Sequence, residues 1–205
     1  MADVRERLAR LNPSTVRFDV GRGGTGGGLS SIDVAGALGM VPAGLGREVL
    51  EAAWWPDGAS LRREPLRDAV IALIQPEIRR QAEERIAAGL DLQLAVAALE
   101  WSAVPSKRQR QEREQARARY EAVTATCWPR STLESLPVLA DAVLLEIRTG
   151  FMSDRARAAA IGRDEAGYRR NWRPVYLWLL DRMREAEEQA ARQLARALRC
   201  GDPTA

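Results

Sequence analysis

Six arginines lie between residues 151 and 173 against three acidic residues, so this stretch carries a formal charge of +3. Arginine can fork onto guanine O6 and N7 or hold phosphate oxygens. The arginines surround a short Ala-rich helical pattern, a tight turn at Ile161-Gly162-Arg163, and a second helical pattern that Asp164 opens. This layout is typical of a helix-turn-helix, whose second helix lies in the major groove. The residues therefore predict contact with double-stranded DNA.

The second helix has two faces of different character. Residues 166, 169, 170 and 173 recur at spacings of three and four and share one face, which is the predicted DNA side. The opposite stripe is predicted core: Tyr168, Trp172, Tyr176 and Leu179. The predicted DNA contacts are Arg155, Arg157, Arg163, Arg169, Arg170 and Arg173. The alternative interpretation is a solvated helix face, which is common in Arg-rich chains.

A second basic stretch covers residues 105–119, with a formal charge of +4. One interpretation is an exposed helix held by internal ion pairs, such as Arg108 with Glu112. Another is contact with the DNA backbone, nascent RNA or an acidic polymerase surface. The candidates for such contact are Lys107, Arg108, Arg110, Arg113 and Arg117.

Several kinds of chemistry are excluded by composition. The chain has no histidine and two cysteines, Cys127 and Cys200, so imidazole catalysis, His-ligated zinc and CxxC zinc sites are ruled out. Gly21, Gly23 and Gly26 form a GxGxxG pattern, but a dinucleotide site requires a strand–helix–strand continuation that this sequence lacks. A flexible linker is favoured. We expect neither an enzyme nor a metal or other cofactor.

Hydrophobic periodicity predicts an all-α protein with a multi-helix, bundle-like body. Residues 1–28 are expected to form a flexible segment, residues 29–150 the helical body, and residues 151–205 the DNA-binding region with a long terminal helix. Pro76 should break or kink the helix that contains it, and Pro174 should kink the terminal helix. Trp54, Trp55 and Trp101 are interpreted as core or interface residues. With no long apolar run and no signal peptide, we expect a soluble protein of the cytoplasm.

Two passages together resemble the late-gene antitermination protein Q of lambda-type phages. The first is LSSIDVAGALGM, in which Leu29, Ser30, Asp33, Val34, Ala37, Gly39 and Met40 match the family's pattern. The second is the small-residue helix, turn and following helix, matched at Arg170, Pro174 and Tyr176. Lambda-type Q proteins carry two CxxC pairs before this region, whereas residues 148–151 here contain no cysteine. We therefore predict no zinc.

The resemblance implies an activity. Q proteins bind a DNA element at the phage late promoter and engage the host RNA polymerase, with its sigma factor, paused just downstream. They then travel with the polymerase so that it reads through terminators, through action at the RNA exit channel. The alternatives are a conventional helix-turn-helix repressor or activator and a helical adaptor with no role in nucleic-acid binding.

Overall fold

The structure, a computed structural model, describes Arg5, residues 31–55 and residues 63–200, without the side chains of residues 31–33, 199 and 200. The described residues are helical and contain no β-strand, which confirms the predicted all-α class. The expectations for residues 1–28 and the glycine pattern lie outside the described residues. The helices are α1 (Ser31–Gly39), α2 (Leu45–Trp54), α3 (Arg63–Glu100), α4 (Lys107–Thr126), α5 (Leu136–Thr149), α6 (Asp154–Ala160), α7 (Glu165–Gly167) and α8 (Arg173–Cys200).

Of the break or kink predicted at Pro76, the break does not occur, because helix α3 continues through this residue. A proline inside a helix removes one hydrogen bond and costs about 3 kcal/mol. Val70 and Ile74 are fully buried before the proline, and Ile78 packs against the same core after it. Burial on both sides of the proline, against one core, offsets the lost hydrogen bond.

The predicted irregularity at Pro174 takes the form of a π-helical segment, Tyr168–Trp172, between α7 and α8. The Arg173 amide donates to the Tyr168 carbonyl, one residue further back than in an α-helix. A wider turn just before a proline relieves the clash between its ring and the preceding carbonyl. The chain therefore remains helical from α7 to α8.

Helix α8 passes through two hydrophobic clusters. Its first half packs with α2, α5 and the start of α3, and its second half packs with α1 and α2. The apolar spacing of residues 132–147 predicts a helix with an inward stripe, and four of its members are buried: Leu136, Leu139, Val143 and Leu144. Leu133 was also expected inside, but it is 45% exposed because it precedes α5, beside the 3₁₀ turn Arg130–Thr132.

The second half of α3 and all of α4 form a helical hairpin. The Ser106 hydroxyl and the Gln109 side chain cap the start of α4 reciprocally, and Arg119 forms an ion pair with Asp91 of α3. Helix α4 buries none of its residues, and its main contacts are with α3. Within the described ranges, one face of α3 therefore has no helix packed on it along the hairpin.

Close approach of α2 to α8 depends on Gly46. A Cβ at this position would lie 2.4 Å from the Ala186 carbonyl oxygen and 3.2 Å from the Ala190 Cβ. Both neighbours belong to a packed helix, so neither can move far without disturbing the core.

We expect Gly46→Ala to lower the free energy of unfolding by about 1–3 kcal/mol, because overpacking displaces the backbone. Gly36→Ala is the matched control, since a Cβ there meets nothing within 4 Å. It should leave stability unchanged or raise it by up to about 1 kcal/mol. Urea unfolding followed by circular dichroism measures both. Equal effects of the two substitutions would contradict the assigned helix contact.

Candidate nucleic-acid interface

Helices α6 and α7 are joined by a tight turn that is held by hydrogen bonds at both of its ends. The Ser153 hydroxyl caps α6 by accepting from the Ala156 amide. At the other end, the Gly162 amide donates to the Ala159 carbonyl and the Arg163 amide to the Ala158 carbonyl. Gly162 has a φ of 66°, the left-handed conformation that this Schellman termination requires. The predicted turn at residues 161–163 is therefore present.

Asp164 starts the second helix. Its carboxylate accepts from the Gly167 amide at 2.8 Å, an N-cap that satisfies one of the free amides of the first turn. The same carboxylate leaves little room for a side chain at position 167, because a Cβ on this residue would lie 2.9 Å from Asp164 Oδ2.

The second helix runs from α7 through the π-helical segment into α8. Its inner stripe lies in the core as predicted. Tyr168, Tyr176 and Leu179 have no exposed surface, and Trp172 is 5% exposed. Tyr168 and Tyr176 meet edge to face, with ring centroids 5.8 Å apart. This burial turns residues 169, 170 and 173 outward.

A buried ion pair joins α6 to α5. Arg157 donates from Nε to one Glu146 oxygen at 2.8 Å and from Nη2 to the other at 2.6 Å. Glu146 has no exposed surface, and Arg157 is 6% exposed. From α8, the Tyr176 hydroxyl lies 3.0 Å from Glu146 Oε2, and Arg184 approaches Oε1 more loosely at 3.6 Å. The carboxylate is therefore the point where three helices meet.

The protonation states of this cluster follow from its contacts. Burial by itself would raise the pKa of Glu146, but hydrogen bonds from Arg157 and Tyr176 outweigh burial and hold that pKa below its usual range. The hydrogen bond to Glu146 raises the pKa of Arg157. Burial next to the carboxylate raises the pKa of Tyr176. Glu146 and Arg157 are therefore both charged at neutral pH.

The position of Arg157 does not support its predicted role as a DNA contact. Its guanidinium is held in the interior by Glu146 and lies 5.4 Å from the Phe151 ring and 5.5 Å from the Tyr176 ring. Releasing it would leave a buried carboxylate without its main counter-ion. Arg157 holds α6 in place, and the surface charge lies on other arginines.

The other five predicted arginines are exposed, and they fall into two groups. Arg169 and Arg173 point toward Asp154 at 3.4 and 3.6 Å, and Arg169 also contacts Glu165 at 2.6 Å. The remaining three form no ion pair with any residue that the structure describes: Arg155, Arg163 and Arg170. Arg163 lies over the Trp172 ring, 5.1 Å from its centroid. The unpaired positive charge thus surrounds the turn and the outer face of the second helix.

The second predicted basic segment lies on a different part of the molecule. Its five candidates are exposed residues of α4: Lys107, Arg108, Arg110, Arg113 and Arg117. The predicted ion pair between Arg108 and Glu112 is present at 2.9 Å, and Arg117 pairs with Glu121 at the same distance. Because α4 packs mainly on α3, its contacts do not bring this segment to the turn after α6.

The sequence interpretation did not single out Glu146. A signal was available, because residues 136, 139, 143 and 146 recur at spacings of three and four, and the first three are apolar and buried. A carboxylate on a buried stripe requires a counter-ion.

Trp101, interpreted as core or interface, is 92% exposed at the end of α3.

Comparison of the chain with known protein families, with curated proteins and with solved structures found no match. Within the described ranges, no three metal-binding side chains are grouped so that they could hold an ion. In the same part of the chain, no helix is both long enough and apolar enough to cross a membrane.

Breaking the buried pair should be strongly destabilising. We expect Arg157→Ala to lower the free energy of unfolding by about 3–5 kcal/mol, because it leaves Glu146 buried without its bidentate partner. The double variant Glu146→Leu/Arg157→Met removes both charges and should lose much less. Urea titration of the three proteins at neutral pH measures this difference. A double variant no more stable than Arg157→Ala would argue against coupling of the two charges.

The same pair predicts a dependence of stability on pH. Because the folded-state pKa of Glu146 is depressed, its contribution is complete above the unfolded value of about 4.3 and is lost as pH falls through the folded value. The stability difference between the wild type and Glu146→Gln should therefore be constant from neutral pH down to about pH 5 and shrink in stronger acid. Unfolding titrations across this range test it, and a difference that grows on acidification would contradict it.

Proposed function

We propose that this protein is a phage transcription antitermination factor of the lambda Q type that binds double-stranded DNA through α6, α7 and the start of α8. The observation that supports DNA binding best is the exposed arginine face of the second helix, opposite a fully buried aromatic stripe. Helix-turn-helix proteins place such a face in the major groove. The conclusion about antitermination rests on the resemblance of residues 29–40 and 153–176 to that family.

The local charges agree with a DNA-facing surface. Arg155, Arg163 and Arg170 are exposed and form no ion pair within the described residues, so they could meet phosphate or base edges without first giving up a carboxylate. Arg169 and Arg173 are 61% and 53% exposed in their ion pairs. Surface ion pairs contribute only about 0–1 kcal/mol, so exchange of a carboxylate for a phosphate costs little.

The rigid attachment of these helices to the rest of the protein also supports DNA binding. Reading a base edge requires a side chain held in a fixed orientation, which an isolated helix as short as α6 could not provide. Here the buried Arg157 anchors α6 to Glu146 of α5, and the Schellman turn sets the direction of α7. The exposed arginines are therefore carried on a fixed frame.

In this proposal the protein acts in the cytoplasm of the bacterial host. It binds an element at the late promoter, associates with host RNA polymerase and its sigma factor, and travels with the polymerase past terminators. Helix α4 offers Lys107, Arg110 and Arg113, which form no ion pair with a described residue. They are candidates for contact with DNA backbone, nascent RNA or an acidic polymerase surface.

We expect Arg170→Ala to weaken the specific DNA complex by about 1–3 kcal/mol if this side chain reads a base edge. Arg170→Lys keeps the charge but not the planar fork, so it should lose most of the same discrimination. Arg192→Ala is the charge-matched control, because Arg192 is exposed near the other end of α8 and pairs with Glu188. Gel-shift titrations with specific and scrambled DNA measure the effects. Equal losses on both DNAs would indicate a phosphate contact, and no loss would reject this placement of the recognition helix.

Antitermination predicts that read-through of a distant terminator depends on a promoter-proximal element. Deleting the element should abolish the effect of the protein although the terminator is intact, because loading occurs only at the promoter. The triple variant Arg155→Ala/Arg163→Ala/Arg170→Ala should have the same effect as this deletion. Transcription with host polymerase and templates of both kinds measures the fraction that passes the terminator. A conventional activator or repressor would change the amount of transcript and leave that fraction constant, which would overturn antitermination but not DNA binding.

A further inference from the structure

An apolar stripe runs along the face of α3 on which no other described helix packs. Its large side chains are Ile86, Leu90 and Leu94, which are 63%, 54% and 70% exposed. Trp101 continues the stripe, since its amide still donates to the Ala97 carbonyl in helical fashion, and it is 92% exposed. Val104, in the turn before α4, is 80% exposed. Isolated exposed apolar residues are ordinary, but a contiguous row of this kind marks an interaction surface.

The stripe has the spacing of a coiled-coil seam. Ala87, Leu90, Leu94, Ala97 and Trp101 follow one another at intervals of three, four, three and four, the a/d pattern through which two helices pack by knobs into holes. Helix α4 covers the opposite side of α3, where Gly89 meets Tyr120 and Asp91 meets Arg119. The seam is therefore a second packing face of α3, distinct from the face that α4 already fills.

The centre of this face carries no charge, and the exposed acids Glu83 and Glu100 lie at its two ends. Between residues 86 and 98 the exposed positions of α3 are Ile86, Ala87, Leu90, Gln93, Leu94 and Ala98, none of them charged. Helix α4 beside it is densely charged on its exposed surface. A centre without charge cannot select a charged partner, but it can pair with a copy of itself without repulsion.

We propose that the α3 seam is a homodimer interface in which a second copy of this chain packs antiparallel against the first. A two-fold axis between Ala95 and Val96 places Leu94 of one copy against Ala97 of the other. It likewise places Leu90 against Trp101. A large side chain thus meets a small one at Leu94–Ala97, on both sides of the axis. A parallel pair would instead stack Trp101 on Trp101 and leave voids at the alanines.

The size of the stripe agrees with this occupant. Its five large apolar side chains expose an area on the order of 700 Å², close to the roughly 800 Å² per partner that a standard stable interface buries. The antiparallel register also limits the overlap to residues 86–104, so the hairpin tip of one copy stops short of the partner's core around Ile78. A two-fold interface uses the same patch on both copies, as this self-complementary seam would.

The first test is the oligomeric state of the full-length protein by sedimentation equilibrium over a range of concentrations. We expect a dimer for the wild type and for Ala118→Glu, which adds the same charge on the exposed surface of α4. Leu94→Glu should weaken dimerisation by at least about 30-fold, because a charge in the centre of the seam would be buried without a partner. Both residues are exposed in the single chain, so circular dichroism should be unchanged. A monomeric wild type at every concentration overturns the proposal, whether or not another segment of the chain covers the seam.

A second test addresses the register. In a background with Cys127→Ser and Cys200→Ser, mixed Leu94→Cys and Ala97→Cys proteins should form the mixed disulfide in preference to either symmetric one. Preferred formation of the symmetric Leu94→Cys product would overturn the antiparallel arrangement. A dimer that Leu94→Glu leaves intact would place the interface elsewhere and would also overturn the proposal.

Discussion

The geometry of the candidate interface depends on one buried carboxylate. Glu146 accepts both branches of the Arg157 guanidinium and lies within hydrogen-bond reach of the Tyr176 hydroxyl, so α5, α6 and α8 converge on it. An ion pair that is fully removed from water contributes little net stability, but it strongly disfavours any arrangement that separates its members. Its effect here is to permit one orientation of α6 relative to the body. The turn and the second helix follow α6 directly, so the same ion pair also determines their orientation.

Burial divides the six arginines of residues 151–173 into separate roles. Arg157 is internal and positions a helix, Arg169 and Arg173 share Asp154 at the surface, and the other three carry unpaired charge around the turn. Local sequence does not separate these roles, because Arg155 and Arg157 both adjoin Ala156 in the same short helix and only Arg157 is buried. The division is set by the angle between α5 and α6, which brings residues 146 and 157 together. The local charge of +3 is therefore not spread evenly over the surface.

The predictions that succeeded rest on periodicity within one helix. The inward stripe of α5 follows from a 3.6-residue repeat, and the four-residue spacing of Tyr168, Trp172 and Tyr176 indicated a shared helix face. The features that periodicity did not foresee depend on distant contacts. Pro76 was expected to break or kink α3, but the helix continues through it, supported by a core shared by Val70 and Ile78. The burial of Arg157 depended on a partner eleven residues upstream, across the chain reversal at Gly150. The match of exposed faces to DNA or polymerase stays a prediction from sequence and charge.

The π-helical segment links the presence of Pro174 to the geometry of the buried cluster of Glu146, Arg157 and Tyr176. In a regular α-helix Tyr168 and Tyr176, eight residues apart, would point about 80° away from each other. A wider turn between them reduces the accumulated rotation, and the two rings meet edge to face at 5.8 Å. The proline favours the wide turn, and the wide turn therefore helps to bring the Tyr176 hydroxyl to Glu146. Tyr168 is buried in the core beside it. Since Arg169 and Arg170 lie within the widened turn, their direction relative to Arg173 is set by the same feature.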